Sequence, residues 1–355
     1  MPSSRTYRGR RASSIENEHI RLTITCEGGH IAEVFDKQSG TNPLWTPPWT
    51  SIEPSIFDMA VHGTTFGSGS DGKLLAGIMG HNLCLDLFGG PSADEAAMGL
   101  TAHGEASVNR YEVEGSEGTL LMRTRLALAM IDFERRIELR GRAVNVRERV
   151  ESRCGFDRPI GWTQHVTLGP PFLQKGATEF RASATRSCVF ESRFGVADYL
   201  EAGACFDWPE APRTDGGVAD LRRFAGDTPS SAYSAHLMDA RLDGAFFVAF
   251  SPAARLAFGY VWKPSDFPWL GIWEENCSRT GSPWCGKTIA RGMEFGVSPF
   301  PETRRAMVER SRMFDAPTCR WLPAKQRLEA EYWIVLQTAD TIPESLDWPR
   351  HGAEQ

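Results

Sequence analysis

The chain has 355 residues, 41% of them hydrophobic, which is enough for a large globular fold with a substantial core. Its net charge of −6 and pI near 5.8 argue against a general binder of nucleic acid or of anionic membranes. No stretch approaches the roughly 20 apolar residues that span a bilayer, and no apolar segment follows the N-terminal basic residues as a secretory signal requires. Eight cysteines form no Cys-x-x-Cys pair. We therefore predict a cytoplasmic protein with reduced thiols.

Strand patterns dominate the chain. Alternation of apolar and polar residues, typical of half-buried antiparallel strands, appears at residues 21–26, 133–140 and 328–336. The apolar residues 244–250 predict a strand buried on both faces. Glycine and proline are frequent, and only residues 302–314 have a short helical pattern. We predict an all-β fold, a large antiparallel β-sandwich with few short helices.

No repeat, low-complexity tract or linker divides the chain. Residues 1–15, which contain the basic cluster 5–11, are predicted to form a disordered N-terminal end, and residues 16–345 a single domain. Residues 208–228 lack periodicity and contain proline, glycine and aspartate, so a surface loop is predicted there.

The first candidate for chemistry is His103, within residues 99–105. Gly104 follows it, and glycine lets the backbone pass close to a ligand. An imidazole in this place can donate to or protonate a sugar oxygen, with Glu105 orienting it. A loop histidine bonded to the backbone fits the local sequence equally well.

The second candidate is His165, in the strand-like residues 162–168. Thr163, His165 and Thr167 share one face, and a buried polar stripe needs partners because each unpaired group costs roughly 1–3 kcal/mol. A substrate can supply those partners, and so can the interior of a sandwich. Gln164 is counted as substrate-binding, although strand parity points it to the opposite face unless a bulge intervenes.

The third candidate is Glu294, in the apolar, strand-like residues 292–297. A carboxylate in such a run is costly unless it is paired or functional. An apolar environment raises its pKa and makes it a better base. A buried ion pair is the alternative interpretation.

Tryptophans are concentrated in residues 261–275, which also contain Glu274 and Glu275. Flat indoles suit the C–H faces of pyranose rings, and carboxylates bind hydroxyls. Each single tryptophan is also an ordinary core residue of a large β-protein.

Several sequence templates are missing. The chain has no Gly-x-Gly-x-x-Gly, no P-loop, no Gly-x-Ser-x-Gly and no His-Glu-x-x-His. We predict neither a metal nor a cofactor.

Together these segments resemble the aldose 1-epimerase (galactose mutarotase-like) superfamily, in which an early His-Gly motif, a central strand histidine and a late glutamate occur in this order. Residues 16–49, which predict two strands around a Gly-Gly turn, are similar to the family's start. Residues 270–273 are similar to the apolar-Trp strand end that precedes the family's glutamate. The sequence departs from the family in two places: residues 88–95 contain no arginine where an Asn-Arg pair is usual, and Phe295 replaces a proline.

The resemblance implies a β-supersandwich and an isomerase that interconverts the α and β anomers of an aldose without a cofactor. Carried over residue by residue, it makes Glu294 the general base and His165 the general acid, with His103 binding the substrate. Further substrate-binding residues are expected at Glu105, Gln164, Trp273 and Asp239. Asp243 is an alternative to Asp239 as the family's sugar-binding aspartate.

Two other functions fit the sequence. A carbohydrate-binding protein without turnover is suggested by the missing arginine. A lyase or hydrolase acting on glycosides is suggested by Glu274 and Glu275, because one fold hosts many activities. The expected partner is a small-molecule sugar, with no nucleic acid and no membrane, and the sequence does not indicate an oligomeric state.

Overall fold

The computed structural model describes residues 3–224 and 226–349. Its strands are β1 (Ser3–Tyr7), β2 (Arg10–Glu16), β3 (Ile20–Thr25), β4 (Ile31–Asp36), β5 (His81–Asp86), β6 (Glu112–Ser116), β7 (Thr119–Leu126), β8 (Ile131–Arg140), β9 (Ala143–Ser152), β10 (Arg158–Leu168), β11 (Glu179–Ala182), β12 (Ala184–Val189), β13 (Cys205–Asp207), β14 (Glu210–Pro212), β15 (Val218–Asp220), β16 (Ser230–Met238), β17 (Ala245–Ser251), β18 (Leu256–Trp262), β19 (Trp269–Asn276), β20 (Ile289–Gly296), β21 (Arg312–Met313), β22 (Ala316–Pro317), β23 (Arg320–Leu322) and β24 (Arg327–Thr338). The helices are α1 (Met59–Phe66), α2 (Gly72–Gly77), α3 (Ala93–Ala97) and α4 (Arg304–Arg310), with 3-10 turns at Pro54–Ile56 and Glu105–Ser107.

Most of these strands form two large antiparallel sheets. The first has twelve strands in the order β1-β2-β3-β4-β5-β10-β20-β19-β16-β12-β13, with β23 also paired to β10. The second has eight, in the order β11-β17-β18-β24-β9-β8-β7-β6. The prediction of a large antiparallel β-sandwich with few short helices is confirmed, and α4 lies within the predicted helical residues 302–314.

The main core lies between the two sheets. Successive side chains of a strand point to opposite faces. In β10, Trp162 and Val166 point into this core, and in β20 Met293 does so, all fully buried. Burial of side chains of this size contributes roughly 1.5–3 kcal/mol each. The alternate residues of these strands therefore face away from the core, and they include His165 and Glu294.

The opposite face of the twelve-stranded sheet is also covered. A second buried cluster packs on it, with Phe66 from α1, Leu74 from α2, and Trp45 and Trp273 among its members. This layer of short helices and loops encloses the middle of the sheet, where β5, β10, β20, β19 and β16 lie side by side.

The N-terminus differs from the disordered end predicted for residues 1–15. Strands β1 and β2 pair with each other and with β3, which extends the first sheet. Arg10 is fully buried and donates to the Glu53 carboxylate (3.0 Å) and to the Glu27 carbonyl (2.8 Å). The basic cluster is ordered because its partners come from distant parts of the chain. Residues 1 and 2 lie outside the described residues.

One further segment and the lengths of the helices bear on the predictions. Residues 208–228, predicted to form a surface loop, contain the short hairpin β14–β15, in which Val218 is exposed and Ala211 is buried. No helix among the described residues is long and apolar enough to span a membrane.

Candidate functional site

The register of three adjacent strands brings two of the candidate residues together. His165 in β10 is the direct cross-strand partner of Glu294 in β20, and Glu294 is opposite Gly271 in β19. Directly paired residues project from the same face of a sheet, with Cβ atoms about 5 Å apart. Both side chains therefore lie on the covered face, away from the core between the sheets.

The imidazole of His165 contacts the carboxyl group of Glu294. Nε2 of His165 is 3.0 Å from Oε1 of Glu294, and the residues are 6% and 2% exposed. This contact does not have hydrogen-bond geometry, and Oε1 has no hydrogen-bond partner among the described residues. On the other side of the ring, Thr167 Oγ1 is 3.2 Å from Nδ1. The pair is in contact, but its hydrogen bonding is incomplete.

Two glycines leave room for this carboxyl group and for the tyrosine beside it. A Cβ on Gly292 would lie 2.3 Å from Oε1 of Glu294, and one on Gly271 would lie 2.1 Å from the hydroxyl of Tyr233. Both distances are well inside van der Waals contact. The Tyr233 hydroxyl donates to the Pro299 carbonyl at 3.2 Å, and strand glycines on both sides make space for this tyrosine and for Glu294.

His103 reaches the same place from a loop. Its ring centroid is 4.9 Å from that of His165, in an edge-to-face arrangement. The backbone of His103 has a φ of 63°, and that of Gly104 has 77°, where a Cβ would meet the Leu85 carbonyl at 2.3 Å. Nδ1 of His103 is 2.7 Å from the Phe88 carbonyl oxygen, which can only accept a hydrogen bond. The proton is therefore on Nδ1, and in the neutral ring Nε2 is an acceptor.

Burial sets the charges of this site. It raises the pKa of Glu294 well above the usual range, against a smaller lowering by the nearby Tyr233 hydroxyl. It lowers the pKa of His165 well below 6.5, and the nearby ring of His103 lowers it further. It also lowers the pKa of His103 to about 4, although the Phe88 carbonyl favours the charged form. Burial in this site therefore favours the protonated form of Glu294 and the neutral forms of both imidazoles.

An aromatic wall lies beside His165 and Glu294. The Trp273 ring is 6.2 Å from the His165 ring and 6.1 Å from the Trp284 ring. Trp284 in turn stacks on Trp45 (6.4 Å) and meets Trp49 edge-on (5.0 Å). Trp273 is 7% exposed, and its Nε1 has no hydrogen-bond partner among the described residues. A flat apolar surface with one unpaired donor suits a pyranose ring and its hydroxyl groups.

The tryptophans of residues 261–275 do not all lie at the candidate site, because some point into the main core between the sheets. Trp262 is fully buried and stacks on Phe295 at 4.3 Å in the main core, whereas Trp273 lies at the site. Sequence reasoning missed Trp45, Trp49 and Trp284. The signal for the first two was a pair of tryptophans around two prolines, and Trp284 had no distinguishing pattern.

Three predicted substrate-binding residues do not lie beside His165 and Glu294. Gln164 points into the main core, as strand parity indicates, and donates to the Glu148 carboxylate at 2.7 Å. Glu105 accepts a hydrogen bond from the backbone N–H of Ala129 at 2.8 Å. Asp239 follows the end of β16 and pairs with the exposed Arg241. It stands six residues beyond Tyr233, roughly 20 Å along an extended chain.

Glu274 and Glu275 are engaged within the chain. Glu274 accepts from the Tyr199 hydroxyl at 2.6 Å and lies 3.4 Å from Arg291. Glu275 accepts from the backbone N–H of Ser278 at 2.6 Å. These contacts pair both carboxylates within the chain, although Oε1 of Glu274 has only the 3.4 Å ion pair with Arg291 and no hydrogen bond among the described residues. Among residues 3–224 and 226–349, no group of three histidine, cysteine, aspartate or glutamate side chains is placed to hold a metal ion.

Comparisons with known proteins place the fold. No family model matches the chain, and no curated protein does. Solved structures do match it over nearly the whole length. A candidate aldose 1-epimerase from Klebsiella pneumoniae has a TM-score of 0.64 and 13% identity, covering 93% of this chain and 80% of that one. A galactose mutarotase-like protein from Clostridium acetobutylicum has a TM-score of 0.61 and 13% identity, covering 95% and 98%.

A third solved structure is similar to this chain over nearly its whole length. The galactose mutarotase related enzyme from Lactobacillus acidophilus has a TM-score of 0.56 and 14% identity, covering 94% of this chain and 99% of that one. Identities this low show a common fold and do not transfer an activity. The chain therefore has the fold of the galactose mutarotase-like proteins, the superfamily that its sequence resembles.

Proposed function

We propose that the protein interconverts the α and β anomers of an aldose by acid–base ring opening. The observation that carries this proposal is the 3.0 Å contact between His165 and Glu294 on the enclosed face of the sheet. The C1 hydroxyl and the ring oxygen of a pyranose are bonded to the same carbon. The acid and the base must therefore lie close together, as these two groups do.

The reaction needs one proton removed and one proton supplied. The base takes the proton of the C1 hydroxyl while the acid protonates the ring oxygen, and the bond between C1 and the ring oxygen breaks. The open aldehyde rotates about the C1–C2 bond. Closure on the other face reverses both transfers and yields the other anomer. Each positioned proton transfer typically contributes about 10²–10⁴-fold.

The pair holds the single proton that this cycle requires. In the resting site it resides on Glu294, because burial disfavours both the carboxylate and the imidazolium. Transfer to His165 across their 3.0 Å contact creates the base and the acid together. Sugar hydroxyls that enter the site favour this charged form, since they supply hydrogen bonds that the apolar surroundings lack.

The neighbouring groups fit a sugar as the ligand. Oε1 of Glu294 and Nε1 of Trp273 are buried without hydrogen-bond partners among the described residues, and each such group costs roughly 1–3 kcal/mol. Sugar hydroxyls would pair with both atoms. Nε2 of the neutral His103 is an acceptor for a third hydroxyl. We assign His103 and Trp273 to substrate binding on these grounds.

Glu294→Gln tests the proposal, because it retains the size of the side chain and removes its proton chemistry. We expect anomer interconversion to fall at least about 10²-fold with little change in sugar binding. His165→Asn should behave similarly, and His103→Asn should weaken binding as well. Saturation-transfer NMR between the two anomers of an accepted aldose measures the rate, and ligand-observed NMR measures binding.

Glu309→Gln is the matched control, since Glu309 is an exposed carboxylate on α4 whose side chain is 62% accessible. It should leave both rate and binding unchanged. Full activity in Glu294→Gln would remove this residue from the mechanism and with it the proposed reaction.

A carbohydrate-binding protein without turnover is the second candidate. The observation in its favour is the neutral resting state of the pair, which offers one donor and one acceptor to a sugar without any proton transfer. Saturating binding of a sugar whose anomers exchange no faster than in buffer would support this candidate over the enzyme. A cytoplasmic location belongs to both proposals.

A further inference from the structure

An arginine stands at the edge of the proposed sugar site. The guanidinium carbon of Arg279 is 4.7 Å from the centre of the Trp284 ring and 5.6 Å from that of Trp273. Trp273 also lies 6.2 Å from the His165 ring. Arg279 and His165 therefore both lie beside the indole of Trp273.

The position of Arg279 is fixed by the chain around it. Glu275 is fully buried and accepts hydrogen bonds from the backbone N–H groups of Ser278 (2.6 Å) and Arg279 (3.0 Å). The two indole rings lie against the guanidinium and attract it through cation–π contacts. The side chain is ordered by its surroundings before any ligand binds.

The hydrogen-bonding capacity of Arg279 is almost unused. Its Nε lies 3.4 Å from a Glu275 oxygen, which is an ion pair with a long separation. Among the described residues, none of its five N–H donors makes a side-chain hydrogen bond, and the side chain is 27% exposed. The N–H donors of Arg279 are therefore available to a ligand that lies on the aromatic wall beside Trp273 and Trp284.

We propose that Arg279 binds an acidic substituent of the substrate, so that the site takes aldoses bearing a carboxylate or phosphate group away from C1. This inference rests on the proposed function. The planar fork of a guanidinium matches both anions bidentately. Neutral hydroxyls pair less strongly with it, since a charge-assisted hydrogen bond is roughly twice as strong as a neutral one.

The charges near Arg279 define how recognition works. Glu275 offsets part of its charge at 3.4 Å, and Asp71 and Asp198 act on it at longer range. These carboxylates offset the charge of Arg279, so its attraction for an anion at a distance is weak. Recognition depends on direct contact with the guanidinium, which makes the arginine itself the determinant of specificity.

A matched panel of sugars tests the inference. Galactose is compared with galacturonate, and glucose with glucose 6-phosphate, by ligand-observed NMR for binding and by saturation transfer for anomer exchange. We expect at least one acidic sugar to bind about tenfold or more tightly than its neutral parent. The carboxylate and phosphate arms identify which anion the site prefers.

Arg279→Gln should reduce the preference for the acidic sugar by about 10- to 100-fold. Arg279→Lys should retain part of it, and a thermal melt of each variant checks that the chain is folded. Arg305→Gln, on an exposed arginine of α4 whose side chain is 86% accessible, is the control and should leave the preference intact.

The outcomes separate this inference from the proposed reaction. Equal binding of acidic and neutral sugars by the unmodified protein overturns it, as does a loss in Arg279→Gln that is the same for both. A preference that depends on Arg279 without any anomer exchange supports the inference and refutes the enzyme. Exchange of neutral and acidic sugars at equal rates and affinities refutes only the inference.

Discussion

Replacement of Gly292 by alanine tests the proposed acid–base pair by displacing Glu294 without removing its carboxyl group. The new methyl group would lie 2.3 Å from Oε1 of Glu294 and 3.1 Å from Cβ of Trp273. Ordinary contact between such atoms is about 3.5 Å, so the carboxyl group must move by roughly 1 Å. No charge or hydrogen-bonding group is removed, and the backbone at Gly292 does not have a positive φ.

The expected effect follows from the sensitivity of proton transfer to position. A misplacement of about 1 Å costs on the order of 10²-fold in rate, or about 2.7 kcal/mol of transition-state stabilisation. We expect kcat/KM for anomer exchange to fall by about this factor in Gly292→Ala. Overpacking should also lower the free energy of unfolding by roughly 1–3 kcal/mol. Saturation-transfer NMR and urea titration measure the two effects.

Two reference variants complete this experiment. In Gly155→Ala the added Cβ has no atom within 4 Å, so rate and stability should both be unchanged. Glu294→Gln gives the rate of anomer exchange without the carboxyl group, which is the lowest rate expected for a displaced Glu294. If Gly292→Ala is folded and exchanges anomers at the full rate, the position of Glu294 does not matter, and its role as a base is refuted.

The fold, and the face of the strand on which each candidate side chain lies, were accessible from the sequence because both follow from local periodicity. Alternation predicted strands such as β8 and β24, and parity within β10 separated His165 from Gln164 correctly. Parity states which face a side chain occupies. It does not state which strands are neighbours, and the contact between His165 and Glu294 depends on the pairing of β10 with β20.

Other parts of the site have no periodic signal. Arg279 and Trp284 lie in the loop between β19 and β20, and their placement depends on packing against Trp45 and Trp49 from a distant segment. The N-terminal strands are a similar case, since the burial of Arg10 depends on partners in distant parts of the chain, the Glu53 carboxylate and the Glu27 carbonyl. Such features depend on tertiary contacts that a single sequence does not show.

The remaining predictions concern His103, the glycine that follows it and Gln164. Burial gives His103 a folded pKa of about 4 against 6.5, so the unfolded chain binds the proton first as the pH falls. The free energy of unfolding should therefore fall as the pH is lowered from about 6.5 to 4. Urea titration should show a loss that is roughly 3 kcal/mol larger in the unmodified protein than in His103→Asn. Gly104→Ala should be destabilised by several kcal/mol in the same assay and should lose sugar binding, because its Cβ would meet the Leu85 carbonyl at 2.3 Å and its φ is positive. Gln164→Met removes the amide that donates to the buried Glu148 at 2.7 Å and leaves that carboxylate less well paired. We expect a loss of about 2–4 kcal/mol in unfolding free energy with sugar affinity unchanged, because Gln164 faces the main core. Reduced affinity at unchanged stability would instead place Gln164 in the sugar site and would contradict the division of β10 into a core face and a functional face.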